Sequence, residues 1–593
     1  MRIRNLSGMA AAGMLVVALG AGSAQADRGG CAQPVTSGAA PVATDCLFIL
    51  RAAVGSATCD KPCICQPKGS GPTKAGDALL CLLTSVGSPT NVDCPCGTPD
   101  VQSSDYTFDP EQHVTNPNVA PLFEKTDYIG AFSQDQDPEF GDWTQGWTVE
   151  VHGNHTVWEP ASGGTLGGAT PSANNSCPPG TTPEGSTSLP APFQGSMDFC
   201  RLPQRYQVGG GTLTLTNDNI YLISDQGTLG TVIGDGDGED KSCSTGTANS
   251  AVRSTLVIEP GTVILGQNAR NLIVTRGSKV FVNGTAEDPV IMDSFSWWSD
   301  WVATGDEVSN RREWGGFIVT GCGRINTCND ATYCDAIVEG VLGTVRYGGV
   351  VDNFDWDAGA IRYLVVSHSA YIIDVNGNDT NAITLYGIGR STEVEYVQAN
   401  HSGDDGIEIF GGDVVVKHAV VTGALDDSLD TDFGYNGGVQ FALVKHYTDE
   451  ADKGFEMDNS LSSNPTATPV STPTMANITV VSSTATAGSP GGMSLRSRTQ
   501  GDFWNLIIAS PERSAIRSEN DTIDHRAGVL TDNTDSLLEI HNSIVWAPTA
   551  TKTFEGSGTV TDAEVQMWFQ SDPLNQSIDP GVGAFGYPNQ VAP

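Results

Sequence analysis

The chain has 593 residues, with 30 Lys and Arg against 69 Asp and Glu, a formal net charge of −39. So few basic residues exclude a phosphate-backbone-binding surface, which depends on clustered positive charge, and no nucleic-acid partner is expected. The 69 glycines, well above the usual share of about 7%, occur with abundant Asn, Asp, Ser and Thr and point to a turn-rich all-β chain, long enough for more than one domain.

Arg2 and Arg4, the apolar run Met9–Gly22 and the small-residue site Ala24-Gln25-Ala26 make up a secretory leader, expected over residues 1–26. That run is shorter than the ~18 apolar residues of a membrane span, and no later stretch is long and apolar enough to cross a bilayer. The expectation is a secreted protein, extracellular or on the cell surface. Export places the 14 cysteines where disulfides persist. Eight lie between Cys31 and Cys96; the C-x-C pairs Cys63/Cys65 and Cys94/Cys96, with no histidine nearby, favour disulfides over zinc and leave the pairing open.

Within this cluster Thr44–Gly55 (TDCLFILRAAVG) aligns with Gly76–Gly87 (GDALLCLLTSVG), which sets Asp45 and Asp77 32 residues apart. Each segment predicts a short amphipathic helix with a carboxylate in its first turn, where the helix dipole favours it. The duplication resembles type I dockerin modules, in which a calcium loop precedes each helix and the pair docks onto a cohesin. The resemblance implies a Cys-rich docking module over 27–96 with a cohesin-like partner. Gln66, Lys68 and Ser70 stand where ligating Asp or Asn would be, so these loops are not expected to hold calcium. Residues 97–204 read as a linker and an irregular β-rich accessory region, with a Gly/Ser/Pro-rich excursion over 160–197. His152 and His155 lack acidic or thiol companions for a metal.

From residue 205 to the end, short β-rich segments separated by Gly, Asn and Asp recur. TNAITLYG, DDGIEIFG, DDSLDTDF, DKGFEMDN, PGGMSLRS and RSAIRSEN align on Ile383, Ile407, Leu429, Phe455, Met493 and Ile516, at gaps of 24, 22, 26, 38 and 23 residues. Two residues beyond the first five centres come Leu385, Ile409, Thr431, Met457 and Leu495, the period-two alternation of a strand. A repeat of this length holds two or three short strands and their turns, one coil of a parallel β-helix. The rival β-sandwich calls for antiparallel hairpins with tight turns, not equivalent positions at such intervals. The phrases STLVIEPGTVILG, REWGGFIVTG, DDGIEIFGG and DDSLD resemble secreted bacterial right-handed single-stranded parallel β-helix proteins of the pectate-lyase-like superfamily.

Stacked coils bring equivalent residues to about 4.8 Å. Three columns follow: Asp404, Asp426 and Asp452; Asp405, Asp427 and Lys453; Glu408, Asp430 and Glu456. Asp432, Asp458 and Arg496 form a fourth. Two carboxylates at that spacing repel by roughly 3–4 kcal/mol at an effective dielectric of 20. Relief comes from fanning into water, from raised pKa values, or from a bound cation; calcium suits because it accepts six to eight oxygens in flexible geometry. Calcium is therefore expected on Asp404, Asp426, Asp452, Glu408, Asp430 and Glu456, with turn capping by Asp as the competing explanation.

SGDDGIEI, followed one coil later by DDSLD, resembles the paired-aspartate motif of polygalacturonases, which implies Asp405 and Asp427 as acid and base. Lys453 stands where that family has histidine, and Ser494-Leu495-Arg496 where it has Arg-x-Lys. The resemblance to calcium-dependent pectate lyases implies Lys453 as the Brønsted base and Arg496 on the substrate carboxylate. Surrounding carboxylates favour the ammonium form of Lys453, so an internal counter-ion is the simpler role. His401 and His446 flank the ladder as candidate substrate-binding residues. The leading expectation is a β-helix protein binding an extracellular polysaccharide or another surface polymer with calcium. The alternatives are a uronate lyase and, behind it, a related hydrolase.

Overall fold

The computed structural model describes residues 41–57, 73–86, 106–133, 142–149, 177–188, 196–235, 253–304, 311–328, 332–341, 345–350, 352–373, 379–447, 451–461, 463–482, 491–509, 513–519, 538–547 and 552–580, with 32, 65, 151, 243 and 582 singly. The leader, the loop positions Gln66, Lys68 and Ser70, and His152 and His155 lie outside the described residues. Two compact units divide after Gly97.

The first unit carries the two predicted helices, α1 (Ala43–Ala53) and α2 (Ala75–Ser85). Asp45 and Asp77 perform the same local task at each start, accepting the N–H of Val42 at 2.9 Å and of Lys74 at 2.7 Å. These bonds satisfy donors that a helix N-terminus leaves open. A Cys46–Cys81 disulfide joins the helices, and Ile49, Ala78 and the sulfurs form a small core.

The second unit is a parallel β-helix. One face is an eleven-stranded sheet whose members follow each other one coil apart. All its pairings are parallel, and Ile383, Ile407, Leu429, Phe455, Met493, Ile516 and Phe554 stand in direct register. The six repeat centres expected from sequence thus form one continuous column, buried to 1–2% exposure or less. A seventeen-stranded sheet makes up the remaining faces. In its middle coils a single strand, such as Gly359–Ser367 or Glu393–Asn400, turns the corner through one left-handed residue: Tyr363, Tyr396, His418, Phe441 or Asn477. Outer coils break there into two strands, such as Lys279–Asn283 and Val290–Ser294.

Both ends are closed. An antiparallel hairpin, Thr182–Ser188 with Ser196–Arg201, covers the first edge, and parallel pairing to Asn219–Leu222 already begins at its second strand. The solenoid therefore starts upstream of the expected boundary at 205. At the other end the helix Asp562–Gln570 buries Val565, Trp568 and Phe569 over the last coil. Such covers block edge-to-edge pairing.

Residues 106–133, within the region expected as linker and irregular accessory structure, are bonded along the large sheet. Side-chain amides on successive coils hold the strap's backbone: Gln440 exchanges two bonds with Glu124, both at 2.7 Å, Asn477 donates to the Tyr128 carbonyl at 2.8 Å, and Asn505 to that of Tyr106 at 2.9 Å. Farther along, Gln398 exchanges bonds of 2.8 and 2.9 Å with Val149.

Candidate functional site

The acidic residues sit on the eleven-stranded face and on the loops that enter it. Register places Glu408 beside Asp430 and Asp430 beside Glu456, and the loop columns continue it. Asp426 N–H donates to the Asp404 carbonyl at 3.5 Å and Asp452 N–H to that of Asp426 at 3.2 Å. The ladder inferred from the repeat is present.

Its second column has a structural task as well. Asn381 Oδ1 accepts the Asp405 N–H at 3.2 Å, Asp405 Oδ1 accepts that of Asp427 at 2.9 Å, and Asp427 Oδ1 accepts that of Lys453 at 2.9 Å. Each side chain thus satisfies a backbone donor on the next coil, a requirement in a buried turn. Asp405 and Asp427 are 7% and 3% exposed. Asn381 also donates to Glu408 Oε2. It lies two positions before Ile383, as Asp405 lies two before Ile407, and that alignment was the available signal for a residue the sequence reading missed.

Four sets of carboxylate oxygens lie within 4.8 Å of one another: Asp404/Asp405/Asp426, Asp405/Glu408/Asp430, Asp426/Asp427/Asp452 and Asp427/Asp430/Glu456. Burial followed by repulsion from neighbouring carboxylates raises Asp404, Asp405, Glu408 and Asp430. The Asp405, Glu408 and Asp430 carboxyls stand well above the ordinary range. Asp404 is pushed up to about 7 by burial and then by Asp426 and Asp379. Burial lifts Asp427 to about 8 against the pull of Lys453. In the fourth column burial raises Asp432 to about 7 and Asp458 to about 8, with Asp432 adding to the latter.

Cations gather at one end. Lys453 Nζ lies 2.5 Å from Asp452, 2.8 Å from Glu456 and 3.4 Å from Asp427. Burial works against its charge, but Asp427 and Asp452 outweigh it and its pKa is raised. The geometry supports the counter-ion role over proton abstraction, since a base must be neutral to act. Arg496 pairs with Glu456 and reaches Asp458 at 3.5 Å, while Arg513 reaches Asp452 at 3.1 Å. The other end, around Asp405, Glu408 and Asp430, has no ion pair within 4 Å among the described residues. Arg312, whose charge acts on Asp404 and Asp426 against the effect of their burial, donates its Nε to the Gly403 carbonyl.

The two candidate histidines are both buried. His401 is 4% exposed and stacks on His368 at 5.4 Å. His446 is 2% exposed, meets Ser482 Oγ at 2.9 Å, and is held down to about 4 by burial. Both follow strands of the large sheet and are packed into the corner, and neither belongs to the clustered ligand sets.

The carboxylate sets fit a hard divalent cation: every donor is an oxygen, and Asp430 Oδ1 is buried without a hydrogen-bond partner. Such an orphan is costly unless a cation or proton completes it.

A family model described as a pectate-lyase like beta helix domain matches residues 244–576, more than half of the chain. No curated protein and no solved structure matches it.

Proposed function

This chain belongs to the pectate-lyase-like β-helix family, and on that footing we propose that it is an exported protein that binds an acidic extracellular polysaccharide through calcium, without cleaving it. The carrying observation is the asymmetry of the ladder. Lys453 neutralises the Asp427/Asp452/Glu456 end, while Asp405, Glu408 and Asp430 converge with no tethered cation. Those three residues, with Asp404 and Asp426, would hold the ion. A surface on a chain of net charge −39 repels a polyanion, and a bridging dication reverses that local field. The locked ammonium of Lys453 favours binding over a lyase reaction.

The proposal extends to the first unit as an anchoring module with a cohesin-like partner. Its two helices expose equivalent apolar pairs, Leu47 and Leu79, Leu50 and Leu82, Val54 and Val86, all at least 41% exposed.

The test is retention of purified protein on polygalacturonate, with calcium or with chelator, alongside the ultraviolet absorbance of unsaturated uronate. The reading requires calcium-dependent retention, lost in Glu408→Gln, and no unsaturated product. Chelator-insensitive binding would overturn the calcium bridge. Unsaturated product that disappears in Lys453→Ala would make the protein a lyase.

A further inference from the structure

The ladder contains one carboxylate cage twice. The sets Asp404/Asp405/Asp426 and Asp405/Glu408/Asp430 recur as Asp426/Asp427/Asp452 and Asp427/Asp430/Glu456. Every member of the second cage is the member of the first moved on by one coil, as the pairings Ile407↔Leu429 and Leu429↔Phe455 require. The copies differ in what the second column places inside them. One coil after Asp405 that column supplies Asp427; one coil later it supplies Lys453.

The second cage therefore already holds a cation. Lys453 Nζ is within 3.4 Å of carboxylate oxygens from Asp427, Asp452 and Glu456, which belong to two adjacent coils. A further oxygen faces the same column: Ser494 is in register with Glu456, is fully buried, and its Oγ has no hydrogen-bond partner. In-register neighbours on a parallel sheet share a face, so this hydroxyl is an unused donor oxygen beside Glu456.

We infer that the second cage is a latent divalent-cation site, closed in this chain because the Lys453 ammonium occupies it as a tethered substitute for the ion. The ammonium is a compact point charge on a flexible stem and pairs with three of the cage's five carboxylates, Asp427, Asp452 and Glu456. Arg496 and Arg513 pair with Glu456 and Asp452 as well, but Lys453 alone bridges both coils of the cage, and it thereby holds the ladder to one ion. This rests on the reading of the first cage as the native calcium site, but the experiment separates the two.

Calcium binding to the full chain is measured by equilibrium dialysis for the wild type, Lys453→Met and Lys453→Arg, with circular dichroism as the folding control. The expected result is one ion for the wild type, two for Lys453→Met and one for Lys453→Arg. One ion in both wild type and Lys453→Met overturns the latent site and leaves the native one standing. None in the wild type and one in Lys453→Met does the reverse. None in either removes both. Two ions in Lys453→Arg show that the tethered charge does not close the cage. A Lys453→Met chain that stays unfolded at millimolar calcium also refutes the inference, since the second ion should replace the missing charge.

Discussion

Raising the pH from 6.5 to 8 in chelator should destabilise the β-helix, because buried carboxyls must give up protons that the unfolded chain has already lost. Asp427 and Asp458, 3% and 8% exposed, are both raised to about 8 from an ordinary 3.8. A carboxyl whose folded value is raised contributes stability that is complete below its unfolded value and disappears as the pH rises through the folded one. Each proton costs about 1.4 kcal/mol per pH unit while the folded group still holds it, so each group, half titrated at pH 8, loses about 1.6 kcal/mol across this window and the pair about 3 kcal/mol. His541 acts in the same direction: burial lowers it, but Asp572 and Glu539 prevail and raise it to about 9. The buried His418 and His446, held at about 3 and 4, act in the opposite sense only below the ordinary histidine value of 6.5, which is why the window starts there. At ~2.1 cal/mol/K per residue, a unit of roughly 500 residues shifts by about 1 °C per kcal/mol. Calorimetry should thus show a fall of more than about 3 °C, because Asp404, Asp405, Glu408, Asp430 and Asp432 are raised as well and add to it, and Asp458→Asn should make the fall smaller by about 1.6 °C. A melting temperature that is flat or rising over this range, or a slope unchanged by Asp458→Asn, would refute the assignment of buried, proton-holding acids.

Calcium should raise the melting temperature more at pH 8 than at pH 5, because at the lower pH protons already occupy Asp404, with its value of about 7, and its neighbours; equal shifts in a calorimeter would contradict a site on these groups. Gln398→Ala leaves the Val149 N–H and carbonyl without partners under the strap, at about 2–4 kcal/mol for two buried groups. It should speed proteolysis within residues 142–149 before the β-helix itself unfolds in urea.

The eleven-stranded face was legible because its period is carried by residues that do nothing else. Ile383, Ile407, Leu429, Phe455, Met493 and Ile516 are buried apolar centres at intervals of 22–26 residues, interrupted once by a gap of 38, and their parallel register follows. The acid columns inherit that register, so their proximity could be read without coordinates. The strap could not. Its anchors, Gln398, Gln440, Asn477 and Asn505, are polar residues in or between the strands of the large sheet, on different coils, and their partners lie hundreds of positions away. The trace they left was a buried amide inside runs such as VQFALVKH and NITVVSS, where an unpaired polar group would be expensive. Sequence order sets His401 and His446 beside the acidic loops, and His446 does meet the Lys453 backbone, but their burial to 4% and 2% exposure depends on packing that the order of residues does not carry.

A solenoid repeats whatever side chain works, and here that rule separates the structural need from the charge. The second column requires only an oxygen that accepts the next coil's N–H, and Asn381 meets the requirement as an amide. Asp405 and Asp427 do the same with a carboxylate whose burial is opposed by its neighbours. Asparagine at both positions should therefore keep every backbone bond and relieve the repulsion. We expect Asp405→Asn/Asp427→Asn to melt at or above the wild-type temperature in chelator at pH 8, to lose calcium binding, and to be overtaken by the wild type once calcium is added. A double variant that melts well below the wild type in chelator would mean that the carboxylates serve the fold itself, and the charge would need no cation to explain it.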